Sequence, residues 1–179
     1  MIEKGLSDSQ LVSLYRNGNE DAFEVLLCRH KSKIYTAIYL IVKDRYTAED
    51  LLQETFIAVW HNMEKFRGDA KWSTWIFRIA VNTCLSHLRK KKDPLVNMDE
   101  LPLAGIADET QHKEQEVQLL YKCVSQLAEA DRLIITMVLE DKSYSEIAAI
   151  TDISENNLRV KIHRIKKQLT EIYNRYERF

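Results

Sequence analysis

Only two prolines interrupt this chain of 179 residues, Pro94 and Pro102, and they fall close together. Proline lacks the backbone donor that helices and central strands need, so its confinement leaves long unbroken segments on either side. Glycine is nearly as scarce, with four in all, which supplies too few turn positions for a many-stranded sheet. Leu, Ala, Glu, Lys and Arg are abundant instead, as helices prefer. The composition therefore specifies an all-α protein, divided where the prolines sit. Around them apolar periodicity lapses, Gly105 follows and the charge turns acidic, which marks residues 93–112 as a flexible acidic linker. The expected organisation is a small helical domain over 1–92, the linker over 93–112, and a second small helical domain over 113–179.

A net charge of -1 conceals a strong segregation. Between His61 and Lys92 the cations Lys65, Arg67, Lys71, Arg78, Arg89, Lys90, Lys91 and Lys92 outweigh Glu64 and Asp69, leaving +6. From Asp93 to Glu116 the balance is -6, and from Glu155 to Phe179 it returns to +4. Two basic segments flanking an acidic one give two surfaces that suit phosphates, so the neutral total does not argue against nucleic acid.

Within the first domain, Thr47-Ala48-Glu49-Asp50 offers a cap hydroxyl and first-turn acids, which predicts a helix starting near Thr47 with Leu52, Phe56, Val59 and Met63 as its buried stripe. Its other face carries Asp50, Gln53, Glu54 and Ile57, exposed together at three- and four-residue steps. A short loop, Phe66-Arg67-Gly68-Asp69-Ala70-Lys71-Trp72, then leads into a helix with Trp75, Ile76, Ile79, Ala80 and Thr83 on an apolar side and Arg78, Asn82, Ser86 and Arg89 on another. Aromatics interleaved with cations suit single-stranded DNA, because bases stack on rings while cations follow the backbone. Trp72 and Trp75 are the candidate stacking residues.

Near the C-terminal end, Ser143-Tyr144-Ser145-Glu146 is a capping box that opens a helix, and Ser154 caps a second helix after a very short turn. Leu158, Ile162, Ile165 and Leu169 form the buried line of that second helix. Asn156, Asn157, Val160, Lys161 and Arg164 then face outward, as on the recognition helix of a helix-turn-helix, with Arg159, Lys166 and Lys167 suited to phosphates. Asp152 occupies the turn and must adopt the left-handed conformation, which Asp tolerates better than most residues.

The Asp50-Leu51-Leu52-Gln53-Glu54 motif followed by the Lys65–Asn82 segment resembles region 2 of bacterial sigma factors, and Ser143 to Leu169 resembles their region 4. The resemblance covers residues 8–92 and 113–175. It implies an alternative sigma factor that binds core RNA polymerase and directs promoter-specific transcription initiation, with no catalysis and no cofactor of its own. Asp50, Gln53 and Glu54 would contact the polymerase. Arg67, Asp69, Lys71, Trp72, Trp75, Arg78, Asn82 and Arg89 would bind the single-stranded minus-ten element. Asn156, Asn157, Arg159, Val160, Lys161 and Arg164 would bind the minus-thirty-five duplex. Where primary sigma factors carry two adjacent melting aromatics, this chain has Trp75 followed by Ile76, which implies dependence on near-optimal promoters. That departure and the length are typical of the extracytoplasmic-function group, whose members are commonly held inactive by an anti-sigma factor.

Other readings explain less. A stand-alone helix-turn-helix regulator leaves the Asp50–Asn82 block unused, and a polymerase-binding adaptor leaves the basic, aromatic segment unused. Cys84 and His87 lie one helical turn apart, but neither Cys123 nor His112 completes a closely spaced set, so no metal is expected. Cys28, Cys84 and Cys123 read as reduced core residues. The longest apolar run, Leu133 to Leu139, is too short for a bilayer and Met1-Ile2-Glu3-Lys4 opens no secretory segment, so a cytoplasmic protein without membrane insertion is expected.

Overall fold

The computed structural model describes residues 5–91 and 111–176, so almost all of the linker expected over 93–112 lies outside the described residues. The fold is all-α, and no strand occurs among the described residues. Two compact units form: Met1–Tyr39 with Arg45–Lys90, and Leu40–Asp44 with Lys91–Phe179.

The first unit is built on α1 (Asp8–Arg16), α2 (Asp21–Val42) as far as Tyr39, α3 (Arg45–Asn62), a 3-10 turn at Met63–Lys65, and α4 (Trp72–Lys91) as far as Lys90. A reciprocal capping box opens α1. Ser7 Oγ accepts from the Gln10 amide at 3.3 Å while Gln10 Oε1 accepts from the Ser7 amide at 2.8 Å. Asp8 next to that cap joins α1 to α2, meeting Arg29 Nη1 at 2.6 Å and His30 Nε2 at 2.8 Å. The start of α3 differs from the expectation: it begins at Arg45, two residues before Thr47. Lys43 adopts φ 62°, which turns the chain out of α2 early enough for Arg45 to enter the first turn and bond Glu49 at 2.9 Å. The buried side of α3 is broader than the stripe expected, taking in Ala48, Leu51 and Thr55 beside Leu52 and Val59, while Phe56 is only half-buried. Thr55 is accommodated there by donating to Leu51 O at 2.6 Å.

The second unit contains α5 (Gln111–Ser125), α6 (Glu129–Leu139), α7 (Tyr144–Thr151) and α8 (Glu155–Tyr176). Every residue of α6 from Arg132 to Met137 is buried, as expected of a helix that neighbours cover on all sides. Arg132 is tolerated there because its guanidinium donates to Leu127 O at 2.7 Å. The capping box on α7 forms as its sequence specifies, with Ser143 Oγ accepting from the Glu146 amide at 3.2 Å and Glu146 Oε2 accepting from the Ser143 amide at 2.9 Å. Asp152 ends α7 at φ 57° and its amide donates to Ala148 O at 3.0 Å. Leu158, Ile162, Ile165 and Ile172 then bury one side of α8, whereas Leu169, expected in that line, is only half-buried.

Candidate nucleic-acid interface and docking face

Because the apolar side of α3 is buried by Leu51, Leu52 and Val59, the opposite side has nothing of its own unit to cover it. Asp50, Gln53 and Glu54 are all exposed there. Ile57 is exposed beside them at 55% and Trp60, one turn further, at 58%. Trp60 was not among the residues singled out from the sequence, although it follows Gln53 and Ile57 at helical steps of seven and three. Tyr46, at the other end of the same helix, is also exposed. Asp50, Gln53 and Glu54 thus form an exposed polar cluster flanked by the uncovered side chains of Ile57 and Trp60.

The loop after α3 is anchored at its start and turns on a glycine. Arg16 Nη2 hydrogen bonds Phe66 O, holding the start of the loop to α1, and Gly68 makes the turn at φ 84°. Arg67, Asp69 and Lys71 project from it, exposed. Behind the loop the rings of Phe66, Trp72 and Trp75 form a triangle, with centroids 5.3 Å, 5.0 Å and 5.1 Å apart. The two tryptophans divide unequally within it. Trp72 is 3% exposed, and its Nε1 has no hydrogen-bond partner among the described residues. The expectation that Trp72 offers a stacking surface is therefore corrected: it is a core residue that backs Trp75. Trp75 is half-buried and keeps part of its ring accessible.

Further along α4, Ile76, Phe77, Ala80, Val81, Cys84 and Leu88 are buried, which rotates the apolar side away from the one expected. Ile76 is 0% exposed. Ile76 is therefore a core residue of this fold, and Trp75 is the part-exposed aromatic of the pair. The rotation leaves Arg78, Asn82, Ser86 and Arg89 exposed. Between α3 and α4 runs an open groove of about 570 Å³, whose walls include Glu54, Lys65, Trp75, Asn82, His87 and Lys90. One groove thus gathers an aromatic face, an amide able to hydrogen bond a base edge and two cations, together with Glu54. Lys65, His87 and Lys90 join it only through packing of α3 on α4, which local spacing does not reveal.

Burial pushes the Cys84 thiol up to about 12, so it stays protonated at neutral pH. Cys123 is buried as expected, whereas Cys28 is exposed on α2 and is not a core residue.

On α8 the outward residues fall into two groups. Asn156, Asn157, Val160 and Arg164 are exposed. Arg159 and Lys161 have partners in their own unit: the Arg159 guanidinium carbon lies 5.8 Å from the Tyr144 ring centroid, and Lys161 Nζ meets Asp131 Oδ1 at 2.9 Å. Lys161 is consequently only part-exposed, unlike the outward lysine expected. Ser154 Oγ accepts from the Asn157 amide at 3.5 Å, a long cap for the helix start.

The family description "Sigma-70 region 2" matches residues 26–93 and "Sigma-70, region 4" matches 117–169, together about two thirds of the chain. The ECF RNA polymerase sigma-E factor of Salmonella typhimurium is 29% identical over 182 residues, spanning 94% of this chain and 95% of the relative. Two solved structures share the fold. CnrH, in complex with the cytosolic domain of CnrY, aligns with a TM-score of 0.63 at 22% identity over 93% of this chain and 97% of its own. The sigma factor RpoE of Bartonella quintana, in complex with the anti-sigma factor NepR, aligns with a TM-score of 0.66 at 19% identity over 85% and 96%. The chain belongs to the sigma-70 family of RNA polymerase sigma factors, in its extracytoplasmic-function group.

Proposed function

We propose that this alternative sigma factor docks on core RNA polymerase through the Asp50, Gln53 and Glu54 face of α3, with Ile57 and Trp60 supplying apolar area. The observation that carries this reading is that all five side chains are exposed on one side of a helix whose other side is core. In the same reading the groove beside Trp75 and Asn82, with Arg67, Asp69, Lys71, Arg78 and Arg89, takes the single-stranded minus-ten element. Trp72 supports it from beneath. Asn156, Asn157, Arg159, Val160, Lys161 and Arg164 address the minus-thirty-five duplex from the major groove.

The phosphodiester chemistry belongs to the polymerase, so the chain acts without catalysis of its own. No helix among the described residues is long and apolar enough to cross a membrane, and we place the protein with its polymerase in the cytoplasm. An anti-sigma factor is a further proposed partner, on the family resemblance. Co-purification tests the docking assignment. Gln53→Ala combined with Glu54→Lys should lose core RNA polymerase from a pull-down that retains it with the wild type, at unchanged helicity by circular dichroism. Equal retention by the double variant would remove α3 from the interface.

A further inference from the structure

Over the first turns of α8, Val160 is exposed at 53%, although it is the kind of side chain that folding ordinarily buries. It stands one helical turn after Asn156 and one turn before Arg164, so the three residues line one stripe of the outward face, opposite Leu158, Ile162 and Ile165. A β-branched residue there lowers helix propensity and gains no burial in return. A single exposed apolar side chain needs no explanation by itself. This one is distinguished by what surrounds it. Its two cationic sequence neighbours are held to the flanks, Arg159 against the Tyr144 ring and Lys161 by Asp131 at 2.9 Å. The valine methyls are thereby left uncovered between two side chains able to hydrogen bond base edges.

In the major groove every base pair presents donors and acceptors, and thymine alone adds an apolar group, its C5-methyl. The rotamer of a helical valine is nearly fixed, so placing its methyl against another costs little entropy. We propose that Val160 reads a thymine through contact with its C5-methyl group, giving this recognition helix a requirement for thymine at one base pair, between the contacts made by Asn156 and Arg164. The proposal rests on the assignment of α8 to the minus-thirty-five duplex.

The test separates the two. The full chain, assembled with core RNA polymerase, selects from promoter duplexes randomised across the upstream element. The selected duplex is then remade with uracil in place of each thymine in turn, which deletes only the methyl. One such replacement should weaken wild-type binding by about fourfold, the worth of one buried methyl-sized group. Val160→Ala should bind the thymine duplex about as weakly as the wild type binds the uracil duplex, and should no longer distinguish the two. Asn156→Ala and Arg164→Ala should weaken binding while keeping the uracil effect. Alanine is a good helix former at an exposed site, and an unchanged thermal melt checks that Val160→Ala is folded. If every uracil replacement leaves wild-type binding intact, or Val160→Ala retains the full uracil effect, the proposal is overturned while α8 remains a DNA reader. If no duplex is selected at all, the assignment of α8 falls and the proposal falls with it.

Discussion

Ile76 and Asp152 illustrate how a single position can be constrained by enclosure or by backbone geometry. Ile76 is wholly enclosed, so Ile76→Trp should overpack the first unit and cost about 1 to 3 kcal/mol in a denaturant titration, without widening promoter use. Widened promoter use at unchanged stability would mean that the side chain reaches DNA after all. Asp152 occupies the left-handed region at φ 57°, where glycine avoids the clash of Cβ with the backbone. Asp152→Gly should therefore be neutral or mildly stabilising, and Asp152→Val should lower the melting temperature. Cys84 adds a pH dependence. Its thiol ionises near 9.0 when unperturbed and near 12 in the fold, so the folded state holds the proton that the unfolded chain gives up. Stability is therefore complete below about pH 9 and declines above it, by about 1.4 kcal/mol per pH unit for this group. Chemical denaturation between pH 8 and pH 10.5 should show a shallower decline in Cys84→Ala than in the wild type. Parallel declines would exclude Cys84 as the cause.

At the level of helices, local signals were legible in the sequence where a few neighbouring residues decide the outcome. The Ser143 and Glu146 capping box, the left-handed Asp152 and the buried line of Leu158, Ile162 and Ile165 all follow from short spacings, and all form. Ser143→Ala should accordingly lower the stability of the second unit by about 1 kcal/mol, measured by thermal melting. Longer-range packing was not legible. Trp72 and Trp75 sit three residues apart on a helix with apolar residues on several sides, and which ring is enclosed depends on packing in the folded unit, Phe66 included. The pairing of Lys161 with Asp131 joins residues thirty positions apart, and no periodicity encodes it. The exposure of Cys28 likewise depends on which side of α2 its neighbours cover. The motif faces are clearer than the core because exposed polar spacing is local, whereas enclosure is a property of the packed unit.

For the molecule as a whole, the segregated charge acquires a meaning once the two units are distinguished. The +6 stretch supplies the loop and α4 of the first unit, and the +4 stretch supplies α8 of the second. In the proposed reading each unit has its own DNA-facing surface, and only the first carries the docking helix. Promoter specificity in this account needs both surfaces and also needs the polymerase. Transcription from a randomised promoter library measures this directly, with core RNA polymerase supplied alone, with this chain, or with the Gln53→Ala, Glu54→Lys variant. Defined 5′ ends are expected only with the wild-type chain, and they should share paired upstream and minus-ten sequences. Transcripts unchanged by addition of the wild-type chain would contradict that expectation.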